Sequence, residues 1–150
     1  MNFFDIPITY ADGRDSTMAD FQGHCLLIVN TASKCGYTEQ LETLEELFQD
    51  YMQRGLFVIG VPSDDFQEEP LSNKQIAKEY ANYGVSFPLL AKGSLDTALY
   101  SYLIGDGPGI EWNFEKFVVS PEGKVVGRFA PSLEPDEMKV IEVLEEHLPV

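Results

Sequence analysis

Cysteine is scarce in this chain of 150 residues, which holds only Cys25 and Cys35. Two thiols at this length exclude a disulfide framework. Histidine is equally sparse, with His24 and His147 alone, so no ligand cluster of the zinc type can be assembled and no metal or other cofactor is expected. Cations are few as well: ten Lys and Arg face 25 Asp and Glu, for a formal charge of -15. A surface of that sign opposes nucleic-acid phosphates and anionic lipid headgroups, so neither is an expected partner. No apolar run approaches the ~20 residues that span a bilayer. The segment Met1 to Pro7 lacks the basic and long apolar stretches of a secretory signal. The expectation is a cytoplasmic, reducing location without stable membrane insertion. Repeats, low-complexity tracts and linkers are missing too, and 44% apolar content suffices for one core, so residues 1–150 are expected to form a single domain, with a monomer favoured.

What is present is an alternation of buried strands and amphipathic helices. Leu26-Leu27-Ile28-Val29 is an unbroken apolar run, as in a strand covered on both faces. Leu41, Leu44, Leu47, Phe48 and Tyr51 then recur at helical spacing among Glu residues. Gly55 stops that helix, and Leu56 to Val61 is a second buried strand, completing a βαβ unit with a right-handed crossover. Upstream, turn formers around Ile6, Ile8 and Tyr10 predict an N-terminal hairpin. Downstream, Ser72 and Gln75 make a capping box for a helix ending at Gly84, and Ser94 or Asp96 is placed to cap a short helix bearing Leu99 and Leu103. A hairpin follows, Lys116 to Ser120 and Lys124 to Phe129, turning at Pro121-Glu122-Gly123. Pro135 is expected in the first turn of a last helix whose buried stripe is Met138, Ile141, Leu144 and Leu148. This order predicts an α/β protein with a thioredoxin-like fold: a central mixed β-sheet, helices on both faces and an N-terminal β-hairpin.

The polar stretch Asn30 to Thr38 lies between the first buried strand and its helix and carries Cys35. A Cys in that place faces unpaired backbone N–H groups and the positive end of the helix dipole, which favour thiolate over thiol. Lys34 beside it pushes the same way. Cys25 opens the apolar strand and reads as a small buried hydrophobe. A bridge between the two is not expected, because five strand residues extend ~16 Å and a disulfide needs Cα atoms within about 7 Å. Loop Ser63 to Pro70 follows the second strand, at the edge where open α/β sheets bind ligands.

Two blocks carry a family resemblance. Asn30-Thr31-Ala32-Ser33-Lys34-Cys35-Gly36-Tyr37-Thr38 resembles the redox-centre motif of the glutathione peroxidase family, and Trp112-Asn113-Phe114-Glu115-Lys116-Phe117 resembles its Trp-Asn-Phe-x-Lys-Phe signature. Tyr83 to Pro88 and Gly123 to Pro131 are weaker echoes, and the likeness runs from about Asp5 to Pro131. It implies a thiol-dependent peroxidase, in which Cys35 attacks hydrogen peroxide or an organic hydroperoxide and becomes a sulfenic acid. The departing oxygen then needs a proton and its charge needs stabilising. By motif, Trp112 would direct its indole N–H at the sulfur and Asn113 would supply further donors.

Two departures from the family pattern bear on mechanism. Where the family has Gln in a Pro-Cys-Asn-Gln-Phe segment, this chain has Asp65 in Pro62-Ser63-Asp64-Asp65-Phe66. Ionised, a carboxylate there opposes the thiolate; protonated, it can donate the leaving-group proton, so Asp65 is taken as a coupled partner of Cys35. The helix before Tyr83 also lacks the resolving Cys of many cysteine-type members. The cycle then depends on an external thiol, glutathione or thioredoxin, with Lys34, Lys92 and Lys116 as candidate relief for an anionic donor. The alternative is a redox sensor or binding protein of the same fold without turnover. A disulfide oxidoreductase fits less well, since Thr38 stands where Cys-x-x-Cys needs its second Cys. A hydrolase using Asp64, Asp65, Glu68 and Glu69 lacks recognisable ligand spacing.

Overall fold

The computed structural model describes residues 2–150. Strands β1 (Pro7–Thr9) and β2 (Asp15–Thr17) form the N-terminal antiparallel hairpin, a two-stranded sheet of its own. The central sheet contains β3 (Cys25–Thr31), β4 (Leu56–Pro62), β5 (Lys116–Val119) and β6 (Val125–Phe129) in the order β4-β3-β5-β6. It is mixed: β3 runs parallel to β4 and antiparallel to β5, which pairs antiparallel with β6. Helices α1 (Gln40–Tyr51), α2 (Asn73–Ala81), α3 (Ala98–Ile104) and α4 (Met138–His147) complete the fold.

Every residue of β3 is buried, and alternate side chains leave on opposite faces. Leu26 and Ile28 enter a core with the hairpin's Ile8 and with Leu99 and Leu103 of α3. Leu27 and Val29 enter another with Leu41 and Leu44 of α1, Ile76 and Tyr80 of α2, and Val140 and Leu144 of α4. Both faces are therefore covered, as the unbroken apolar run requires, and each such side chain contributes ~1.5–3 kcal/mol by leaving water.

Local chemistry sets the boundaries. Gly55 takes φ 96° after the last turn of the first helical segment, a left-handed conformation that suits Gly. Gly60 lets the 87–90 segment cross the sheet edge: a Cβ there would lie 2.7 Å from Leu89 Cδ2, and Gly60 exchanges backbone bonds with Pro88 and Leu90. Ser72 and Gln75 form the expected capping box of α2. The cap of α3 is Thr97, whose side chain accepts from Tyr100 N–H, rather than Ser94 or Asp96; Ser94 instead accepts from Asp96 N–H, turning the chain ahead of the helix. Helix α4 begins at Met138, beyond Pro135, so Met138 points outward at 69% exposed and the fully buried stripe is Val140 and Leu144.

Candidate active site

Three segments meet at the C-terminal edge of β3. Because β3 and β4 are parallel, the loops after Thr31 and after Pro62 leave from the same edge. Because β5 is antiparallel to β3, the segment before Lys116 enters there too. Asn30 joins the first and third: its carbonyl accepts Phe114 N–H (2.7 Å), its Oδ1 accepts Glu115 N–H (3.0 Å), and its Nδ2 donates to the Trp112 carbonyl (3.1 Å). Phe114 adopts φ 71° in this turn, a conformation unusual for a bulky residue, with its ring fully buried. Asn30 is itself buried, so these bonds satisfy its amide within the protein.

Cys35 is half-buried and free, as is the fully buried Cys25, whose thiol burial pushes up to about 12. The helix does not begin beside Cys35. Residues 36–39 form turns, with Thr38, Gln40 and Leu41 N–H bonded to carbonyls three residues back. The direct donor to Cys35 Sγ is Tyr37 N–H at 3.4 Å, a turn amide in place of the expected helix terminus. Thr38, which the sequence reading passed over, fixes this loop. Its hydroxyl accepts Cys35 N–H (3.0 Å) and lies 2.9 Å from both the Ala32 and Cys35 carbonyl oxygens.

Behind the loop is a residue that the sequence reading met only in the acidic run of the disfavoured hydrolase. Glu69 is fully buried, and its Oε1 accepts from Ser33 Oγ and lies at the same 2.8 Å from the Tyr80 hydroxyl. Burial, with the Glu69 charge beside it, holds the Tyr80 hydroxyl protonated well above its ordinary range. Together with Lys34 N–H donating to the Glu68 carbonyl at 2.9 Å, this network ties the 63–70 loop to the Cys35 loop. The sequence signal for it was Ser33, Glu69 and Tyr80 together, which becomes meaningful only once β3 and β4 are known to be adjacent.

The four residues singled out from sequence share this edge but differ in contacts. Trp112 is 37% exposed, and its ring lies 5.5 Å from that of Phe66. Asn113 is fully buried, with neither Oδ1 nor Nδ2 hydrogen-bonded; an amide left so costs about 1–3 kcal/mol, a strain that functional sites commonly retain. Asp65 is exposed, and its Oδ2 accepts Leu95 N–H at 2.9 Å. Among the described residues, no hydrogen bond joins Cys35 Sγ to Trp112, Asn113 or Asp65.

A cleft of about 490 Å³ opens beside Trp112 and Tyr37, walled by Pro108, Phe129 and Pro131. Its cation, Arg128, is neutralised by an ion pair with Glu115. Lys116 is fully buried and donates to the Ala130 and Pro131 carbonyls, at 3.3 and 2.9 Å. Burial pulls its ammonium down to about 7, although the Glu134 and Glu115 charges act the other way. Lys92 Nζ donates to the Leu71 carbonyl at 2.9 Å. Of the three lysines considered as relief for an anionic donor, Lys116 is enclosed and Lys92 is engaged; Lys34 remains exposed.

A mixed sheet of this topology, with one half-buried thiol on the loop after its central strand, defines a thioredoxin-fold protein organised around a single cysteine. Comparison with known proteins agrees. A thioredoxin-family thiol:disulfide interchange protein of Chlorobium tepidum shares the fold, with a TM-score of 0.73 at 15% identity over 99% of this chain and 97% of that one. Trgpx, crystallised in apo form, matches with a TM-score of 0.75 at 30% identity over 99% of both chains. The glutathione peroxidase family model matches residues 3–104. Glutathione peroxidase-like peroxiredoxin 2 of Saccharomyces cerevisiae is 38% identical over 149 residues, covering 91% of this chain and 92% of its own. This chain belongs to the glutathione peroxidase family.

Proposed function

We propose that this protein is a thiol-dependent peroxidase whose nucleophile is Cys35. The observation that carries the reading is the half-buried Cys35 thiol, held by Thr38 and facing Tyr37 N–H, at the sheet edge where the Trp112-Asn113 turn is pinned by Asn30. Cys35–SH and ROOH give Cys35–SOH and ROH. Trp112 and the unbonded Asn113 amide are the donors proposed to act on the reacting atoms, and Asp65 contributes through its charge. With Cys25 sealed in the core, reduction comes from outside: one thiol displaces water from the sulfenic acid to form a mixed disulfide, and a second thiol releases Cys35–SH. Glutathione and thioredoxin are the two donor types. The protein acts as one glutathione-peroxidase-like domain spanning 1–150, as a monomer in the cytoplasm. Among the described residues, no helix is long and apolar enough to cross a membrane.

The test is to expose reduced protein to hydrogen peroxide, follow Cys35 sulfenic acid by mass spectrometry, and then add each thiol under steady-state conditions. Rapid oxidation followed by turnover is expected, with Cys35→Ser inactive and Cys25→Ser active. Stoichiometric oxidation without turnover would instead identify a redox sensor, and an unreactive Cys35 would refute both.

A further inference from the structure

A main-chain nitrogen stands against the sulfur of Cys35. Tyr37 N lies 3.4 Å from Cys35 Sγ, inside the ~3–3.5 Å range at which reacting atoms are poised to bond. Among the described residues, Tyr37 N–H has no acceptor other than this sulfur, so a covalent bond between the two atoms would break no other hydrogen bond of the loop. The turn holds them together: Thr38 Oγ1 accepts Cys35 N–H at 3.0 Å, and Thr38 N–H donates to the Cys35 carbonyl at 3.2 Å. Gly36, between the two residues, is exposed, and a Cβ built on it would meet nothing within 4 Å. The peptide through which a ring would close therefore has room to turn. No second thiol competes for the sulfur, because Cys25 is fully buried and lies at the far end of β3.

We infer that the Tyr37 amide takes the part that a resolving cysteine would otherwise play: oxidised Cys35 closes onto Tyr37 N as a cyclic sulfenamide. The inference rests on the reading of Cys35 as the peroxide-reacting nucleophile and states how its oxidised form is kept until a thiol arrives. Cys35–SOH and the Tyr37 N–H give a Cys35 S–N Tyr37 bond and water. The S–N bond forms as the S–O bond breaks, the amide proton leaves with the hydroxyl, and the sulfur keeps its oxidation level. An external thiol then attacks that sulfur, the S–N bond breaks, and the thiol proton passes to the Tyr37 nitrogen, leaving Cys35–S–S–R. A second R–SH releases Cys35–SH and R–S–S–R. While the ring is closed the sulfur is withheld from a second peroxide, which would carry an open sulfenic acid on to the irreversible sulfinic acid.

The experiment uses Cys25→Ser, so that no disulfide within the chain can imitate the product. Reduced protein receives equimolar hydrogen peroxide without thiol, is quenched in acid at intervals and is followed by intact mass spectrometry, in which the sulfenic acid is about 16 Da heavier than the thiol and the sulfenamide about 2 Da lighter. The heavier species should give way to the lighter, fragmentation should confine the loss to Cys35 through Tyr37, and dithiothreitol should restore the starting mass. Tyr37→Phe in this background keeps the amide and should behave alike. Tyr37→Pro has no amide hydrogen; it should stop at the sulfenic acid and pass to the sulfinic acid under excess peroxide that leaves the parent recoverable by thiol. Should Tyr37→Pro fail to fold, the position of the mass loss in the parent decides. A sulfenic acid that persists in the parent or goes directly to sulfinic acid would overturn the inference and leave the proposed peroxidase standing, as would a lighter species linked to any other nitrogen. A Cys35 that stays at its starting mass would overturn both.

Discussion

Replacing Lys116 by Met tests how the wall of the cleft beside Trp112 is held. Lys116 is fully buried with its ammonium on the Ala130 and Pro131 carbonyls, and burial lowers it from 10.5 to about 7. In the unfolded chain the same group titrates near its ordinary value, so between those limits the unfolded state binds more protons than the folded one. Stability must then rise with pH across this window. Below about 7 the lysine is charged in both states and the full burial cost is felt. Above about 10.5 it is neutral in both and the cost is gone. At about 1.4 kcal/mol per pH unit, the window from 10.5 to about 7 amounts to on the order of 5 kcal/mol. Met has similar length and no charge, but removes one of two donors from each carbonyl, leaving Leu133 N–H on Ala130 and Gln40 Nε2 on Pro131, a loss of about 0.5–1.5 kcal/mol for each hydrogen bond removed. Urea unfolding of both proteins between pH about 6 and about 10 isolates the lysine, because the other titrating groups cancel in the difference. The wild type should gain several kcal/mol on Lys116→Met across the series, starting from parity or a deficit at the acid end. Parallel pH profiles would refute the reasoning and place a charged, solvated ammonium at this position.

Other substitutions probe the loops around Cys35. Asn30→Ala removes the side-chain partners of Trp112 and Glu115; it should cost about 2–4 kcal/mol in urea unfolding and slow peroxide oxidation of Cys35, and a stable variant with a normal rate would show that the turn holds without it. Glu69→Leu takes the acceptor from the Ser33 hydroxyl and leaves the Tyr80 hydroxyl with Thr31 Oγ1 alone, and should cost about 1–3 kcal/mol, whereas Glu69→Gln keeps the acceptor and should lose less than half as much; equal losses would mean that charge, not hydrogen bonding, holds the loop. Asp65→Gln removes a negative charge from this edge and should move the acid limb of the peroxide-oxidation profile downward by up to about one pH unit. An unchanged profile would confine Asp65 to its bond with Leu95 N–H.

The sheet was legible because its signals are local and redundant. Seven consecutive buried positions in β3, the Gly55 stop and the Ser72 capping box each state a conformation in a few residues. Legibility failed where a boundary depended on competing short-range options. Ser94, Asp96 and Thr97 are all chemically able to cap a helix, and only packing of Leu99 and Leu103 into the core selects Thr97. Pro135 is compatible with a first helical turn, yet residues 135–137 form a turn ahead of the helix that brings Val140 inward. The acidic run was the more consequential case. Glu68 and Glu69 are alike in sequence, but one contributes a carbonyl to Lys34 N–H and the other a buried carboxylate to Ser33.

The same distinction reshapes the account of Cys35, the proposed nucleophile. Reading Cys35 as the residue before a helix makes the macrodipole its main electrostatic neighbour. The structure interposes residues 36–39, and the effect of a dipole fades within about one turn of the helix end. What surrounds the sulfur instead is short-range: Tyr37 N–H on Sγ, the Thr38 hydroxyl under the Cys35 backbone, and Ser33 anchored on Glu69. Bonds of this kind position a loop only while each partner stays in place, so the placement of the thiol depends on side chains from the loop after β3, from the loop after β4 and from α2 at once. A substitution in any of these three elements should therefore register at Cys35, even though none of the altered side chains need touch the sulfur.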